Sequence, residues 1–159
     1  MVEKRHEVLF QQLRDYRQET LNLVADITET MADRVPAGFT NNIRWNLGHI
    51  YLDQLLWIQH LTKEPIELPE QYQQFFAYGT RPAGWQGEPP TLDKLRERLA
   101  GQIDWIRERY GERLEEVFPA TESGMHTIAQ VLVRTIFHEG LHIGAIQALR
   151  RAISNQPIE

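Results

Sequence analysis

"TIAQVLVRTIFHEGLHIGAIQALRRAI", residues 127 to 153, is the stretch whose reading decides the fold. Val131, Thr135, His138, His142, Ala145 and Leu149 follow at alternating steps of four and three, which places them in one row of an α-helix. The rest of that row is core-facing, so two imidazoles one turn apart are aimed at the interior. A lone histidine there is most often held by a hydrogen bond, whereas a pair at i and i+4 has the spacing of metal ligands.

The same letters spell H-E-x-x-H, the zinc-protease pattern, with Glu139 in the position of a general base. A catalytic zinc normally takes three protein ligands plus water, so a third is required. Downstream of His142 there is no histidine and a single acid, Glu159. The longer pattern H-E-x-x-H-x-x-G-x-x-H fails as well, because Ala145 and Ala148 stand where its glycine and last histidine belong. The third ligand is therefore expected upstream, which argues against a conventional zinc protease.

Working upstream, helical periodicity recurs three times. From Val8, the residues Leu9, Leu13, Tyr16, Leu21, Val24, Ile27 and Met31 predict one long amphipathic helix, stopped by Pro36 and Gly38. Asn41 or Asn42 caps a second helix, "IRWNLGHIYLDQLLWIQHL", apolar around most of its circumference and ending near Leu61. Thr91 caps a third, with Leu92, Leu95, Leu99, Ile103, Ile106 and Tyr110 in its stripe. Between the second and third, prolines 65, 69, 82, 89 and 90 forbid a continuous helix, although "PEQYQQFF" suits a short one. Pro119 and Gly124 separate the third helix from the fourth. The expected fold is all-α, a four-helix bundle with a long crossover between helices 2 and 3. Residues 1–159 are expected to form a single domain.

Of the other histidines, His126 precedes the last helix and His6 sits among charges near the N-terminus, and both read as surface residues. His49 lies mid-way along the second helix, in the row Trp45, His49, Leu52 and Leu56, where a polar ring faces neighbouring helices. His60 points the same way, but eleven residues put it roughly 16 Å further along the axis, too far to share an ion. His49, His138 and His142 are the expected metal ligands. Asp53, one turn beyond His49, is a candidate to orient it and a candidate catalytic carboxylate beside Glu139. Arg134 reads either as an anchor for an anionic substrate or, more simply, as a salt-bridge partner.

Composition narrows the partners. The 159 residues are 42% hydrophobic and 25% charged, with a net charge of -5, an ordinary globular balance that disfavours nucleic acid. There is no cysteine, so no thiolate ligand or cysteine nucleophile is available. No window has the roughly 20 apolar residues of a membrane span, and "MVEKRHEVLF" has no signal-peptide core, so the chain is expected to be cytoplasmic and away from membranes.

"NNIRWNLGHIYLDQLLW", with its histidine inside the second helix, together with "HEGLHIGAIQALRR", resembles the DinB superfamily, the DinB/YfiT-like metalloenzymes, over essentially the whole chain. The resemblance implies a four-helix bundle, a divalent transition metal, zinc or nickel, on His49, His138 and His142, and a homodimer. Members with known activity include S-transferases and isomerases that use low-molecular-weight thiols; others are regarded as hydrolases. The expected function is thus thiol S-transfer with a small-molecule substrate. The alternatives are hydrolysis by metal-bound water, with Glu139 or Asp53 as base, and a non-catalytic metal-binding, stress-associated protein. The aromatic crossover, with Phe75, Phe76, Tyr78 and Trp85, is expected to cover one edge of the helices and to line the site or a dimer contact.

Overall fold

A computed structural model describes residues 3–155, and every regular element among them is helical. The helices are α1 (Lys4–Leu23), α2 (Glu29–Asp33), α3 (Ile43–Thr62), α4 (Tyr72–Phe76), α5 (Leu92–Tyr110) and α6 (Ile128–Ser154), with a 3₁₀ turn at Pro82–Gly84. The chain is all-α. Glu159 lies outside the described residues. Of the four long helices, α1 packs on α5 and α6, and α3 packs on the same two. Phe10, Leu13, Leu52, Leu95, Ile106 and Val131 fill the space between them and are fully buried.

The caps explain where the helices begin. Asn42 accepts from the Trp45 amide at 2.8 Å, Thr91 accepts from Lys94, and Thr127 forms a reciprocal capping box with Gln130. α3 is buried around nearly its whole girth, as its composition predicts. Even Arg44 is enclosed, its guanidinium bound by Glu29, Asp33 and the Pro90 carbonyl.

The first predicted helix is corrected. The apolar periodicity runs unbroken to Met31, but α1 stops at Leu23 and a separate helix starts at Glu29. Thr28 caps that second helix through the Met31 amide. The carbonyls freed by the break are taken from other helices: Arg96 of α5 donates to those of Val24 and Ile27, and Arg150 of α6 to that of Leu23. A local reading cannot see donors that arrive from residues 96 and 150. His6 is a second correction, since it is buried rather than on the surface; its Nε2 lies 2.8 Å from Glu115 in the segment after α5.

The segment between α3 and α5 seats itself on α3 through α4. Tyr72, Phe75 and Phe76 are buried, and Trp85 is half-buried with its indole donating to the Phe75 carbonyl at 2.9 Å. Gly48 makes the seat possible, because a Cβ there would stand 2.4 Å from the Phe76 ring. Tyr78 departs from the expected aromatic cover: it is 94% exposed. No helix is long and apolar enough to cross a membrane among the described residues.

Candidate metal centre

His49 comes from the middle of α3, and His138 and His142 from one face of α6. The packing of α3 against α6 brings the three rings together. The Nε2 atom of His138 is 3.2 Å from that of His49 and 3.2 Å from that of His142. Among the described residues this is the one group of three or more His, Asp or Glu side chains close enough to hold an ion, with ligand atoms within 4.8 Å of one another.

Each ring is held from behind by its other nitrogen. His49 Nδ1 donates to the Phe76 carbonyl at 2.7 Å, so the crossover sets the tautomer of a ligand on α3. His142 Nδ1 donates to Asn46 Oδ1 at 2.7 Å. The amide orientation of Asn46 is fixed in turn, because its Nδ2 donates to the Asn42 carbonyl at 2.8 Å. His138 Nδ1 faces Asp53 Oδ2 at 3.2 Å, and the same oxygen accepts from Arg134 at 2.7 Å. Asp53 therefore attends His138 rather than His49, the partner the sequence suggests. Arg134 takes the simpler of its two expected roles, an ion pair, with its guanidinium 4.2 Å from the Trp57 ring. Trp45 stacks on His49, with ring centroids 4.6 Å apart and planes 10° apart, and is anchored by its indole on Thr80.

The donor chemistry fits a metal ion. Protons on Nδ1 leave the Nε2 atoms of His49 and His142 as bare acceptors, and both face His138. One imidazole cannot offer a proton to each while Asp53 favours its proton on Nδ1. Lone pairs that face His138 at 3.2 Å from both sides repel one another unless a cation sits among them. Nitrogens about 2.0 Å from one tetrahedral ion stand about 3.3 Å apart, close to the spacing here. Burial also suits ligation, which needs neutral imidazole. Desolvation, reinforced by the neighbouring imidazoles, pulls the pKa of His142 down to about 3. His138 is pulled down to about 4, chiefly by burial, with Asp53 opposing. Burial lowers His49 against the opposing pull of the Phe76 carbonyl.

Glu139 points elsewhere. It is 2% exposed and its carboxylate is gripped by Arg17 of α1, Nε to Oε1 at 2.8 Å and Nη2 to Oε2 at 3.2 Å, with the Thr20 hydroxyl on Oε1 at 2.8 Å. The remaining Arg17 donors reach the Leu99 carbonyl, Gln102 and Gln54. His60 is distant from the triad in sequence and role, paired with Glu122 at 3.0 Å on the surface.

Sequence reasoning missed Asn46, Arg17, Thr20 and the part played by the Phe76 backbone. A signal existed for three of them. Asn46 lies three residues before His49 on a nearly all-apolar helix, and Arg17 and Thr20 continue the inward row of Leu9 and Leu13. Phe76 acts through its backbone, so its identity carries no trace of the contact.

Comparison with known proteins agrees with this architecture. The sequence profile of the DinB superfamily matches residues 12–146. No curated protein matches the chain. A crystal structure described as a conserved protein from Enterococcus faecalis superposes with a TM-score of 0.71 at 19% identity, covering 97% of this chain and 99% of that one. At that identity the likeness is one of fold.

Proposed function

The chain belongs to the DinB superfamily, and from that premise we propose that it is a metal-dependent S-transferase, joining a low-molecular-weight thiol to a small electrophile at the His49, His138 and His142 site. In this reading residues 1–159 form one four-helix-bundle domain, with a long crossover from α3 to α5. The single observation that carries the proposal is the convergence of three Nε2 acceptors while Glu139 is engaged elsewhere. A divalent ion bound there, zinc or nickel, supplies a Lewis acid that lowers the pKa of a coordinated thiol.

The chain's own residues then do three things. Phe76, Asn46 and Asp53 fix the tautomers and aim of the imidazoles. Trp45 closes one side of His49 against water. The cluster, with no fourth His, Asp or Glu among the described residues, leaves part of a coordination sphere to the substrate. A thiol, with a pKa of about 8.5, needs far less help to ionise than water does, with about 15.7. Hydrolysis asks for a free carboxylate base, and both oxygens of Glu139 are held by Arg17. That ranks hydrolysis second, with Asp53 as its base, and leaves Glu139 a positioning role. The exposed Val133, Phe137 and Leu141 on one side of α6 support a homodimer.

The test begins with elemental analysis of chain purified without a histidine tag. About one divalent transition metal per chain is expected, lost in His49→Ala and retained in His60→Ala. A small thiol added to cobalt-substituted protein should then shift its visible absorption, and conjugation to an electrophile should depend on the metal. Turnover of an activated ester without thiol, and no spectral response to any thiol, would replace transfer with hydrolysis.

A further inference from the structure

On α5, Arg98, Gly101, Gln102, Trp105 and Arg109 share one face. Together with Tyr51 and Leu55 of α3 and Ile66 of the crossover, they line a cleft of about 360 Å³, open to solvent, that is separate from the histidine triad. That volume lies in the range of small-molecule sites, roughly 300–1,000 Å³. Gly101 gives it depth: a Cβ built there meets nothing within 4 Å, so bare helix backbone forms part of the wall. Trp105, Leu55 and Ile66 make the rest apolar, and the Arg109 guanidinium lies 5.4 Å from the centre of the Trp105 ring.

The polar end of this cavity is rich in donors. Arg98, Arg109 and Tyr51 stand there, with Glu67 and Glu97 beside them. Arg98 acts on the Tyr51 hydroxyl. Glu97 is engaged by Lys94 at 2.9 Å. Arg17, Arg44, Arg107 and Arg113 are all bound to carboxylates, whereas Arg98 has the Tyr51 phenol for a neighbour. A phenol beside a guanidinium suits an oxyanion.

We propose that this cavity is a second binding site, for a small molecule with an apolar body and a carboxylate. The carboxylate accepts from Arg98 and the Tyr51 hydroxyl, and the body lies along Trp105, Leu55 and Ile66. Glu67 at the rim is the chain's own competing acceptor.

The experiment is calorimetric titration of the full chain with phenylbutyrate and, in parallel, with its neutral amide. Saturable binding of the acid is expected, at least about tenfold tighter than the amide, and about tenfold weaker in Arg98→Gln. Tyr51→Phe should weaken binding several-fold while helicity and metal content stay unchanged. Gly101→Leu fills the cavity from a helix position with open space; it should abolish binding while helicity and metal content stay unchanged. The proposal is overturned if the acid does not saturate at millimolar concentration, if acid and amide bind alike, or if Gly101→Leu binds normally. It is equally overturned if binding appears only in Glu67→Gln, which would show that Glu67 already occupies the donors.

Discussion

Two polar clusters are buried along α6, one residue apart in sequence and opposite in character. The Glu139 cluster is closed: Arg17 has five N–H donors and all five are used, two on Glu139 and one each on Leu99, Gln102 and Gln54. It reaches α1, α3, α5 and α6 in a single set of bonds. The His138 cluster is open, with three imidazoles satisfied on one side and lone pairs turned inward on the other. The comparison separates structure from chemistry in a way the H-E-x-x-H pattern hides. A saturated buried network has no valence left for a substrate, while an unsaturated one calls for a cation. The glutamate of the pattern belongs to the first and the histidines to the second.

The strongest way to break this distinction is to remove one side of the closed pair. Arg17→Met leaves the Glu139 carboxylate buried without its counter-charge, and loss of one partner of such a pair costs about 3–5 kcal/mol. Urea unfolding of the metal-free protein should show a loss of that order, and Arg17→Met with Glu139→Leu should recover most of it. If Arg17→Met unfolds like the parent chain, the closed cluster is not what holds these helices together. Selective loss of activity in Glu139→Gln, with stability intact, would move Glu139 back to the chemistry.

Much of this division was open to a reader of the sequence, but unequally. The capping candidates Asn42 and Thr91 and the apolar periods of α3, α5 and α6 are local signals, and they located those helices. The break after Leu23 was hidden because it depends on Arg96 and Arg150, remote in sequence. His49, His138 and His142 were legible because polar rings on inward rows are conspicuous. Which partner each ring takes was not, since Asp53 lies one turn from His49 yet crosses to His138. Spacing along a helix reports which face a residue occupies. It does not report which neighbour across the interface reaches it first.

A smaller effect sharpens the open cluster. Asn46 is 3% exposed and touches no ion-facing nitrogen; its Oδ1 holds the back of His142 and its Nδ2 the Asn42 carbonyl. Asn46→Ala should weaken metal affinity by about 10–100-fold, the usual cost of losing a partner behind a ligand histidine. Competition against a chromophoric chelator measures it directly. Stability of the metal-free protein should change far less than in Arg17→Met. Affinity unchanged in Asn46→Ala would mean that α6 alone aims His142.

The smallest effect is a pH dependence confined to the open cluster. His138 and His142 titrate at about 4 and about 3 in the folded protein, below the roughly 6.5 of an unfolded chain. Between those values the unfolded state binds more protons, so folding stability rises with pH there and falls as pH drops. In metal-free protein each of these histidines should cost about 0.7 kcal/mol between pH 7 and pH 6, a figure that depends only on the folded pKa lying well below 6. Above about pH 8 the contribution is nearly flat. His142→Gln should remove one such share of the slope, whereas His60→Ala, on the surface beside Glu122, should leave it in place. Chemical denaturation at half-unit steps from pH 7.5 to 5.5 resolves the difference. A slope that survives His142→Gln unchanged would show that His142 is not buried neutral among its neighbours, and the inward gathering of lone pairs would lose one of its three members.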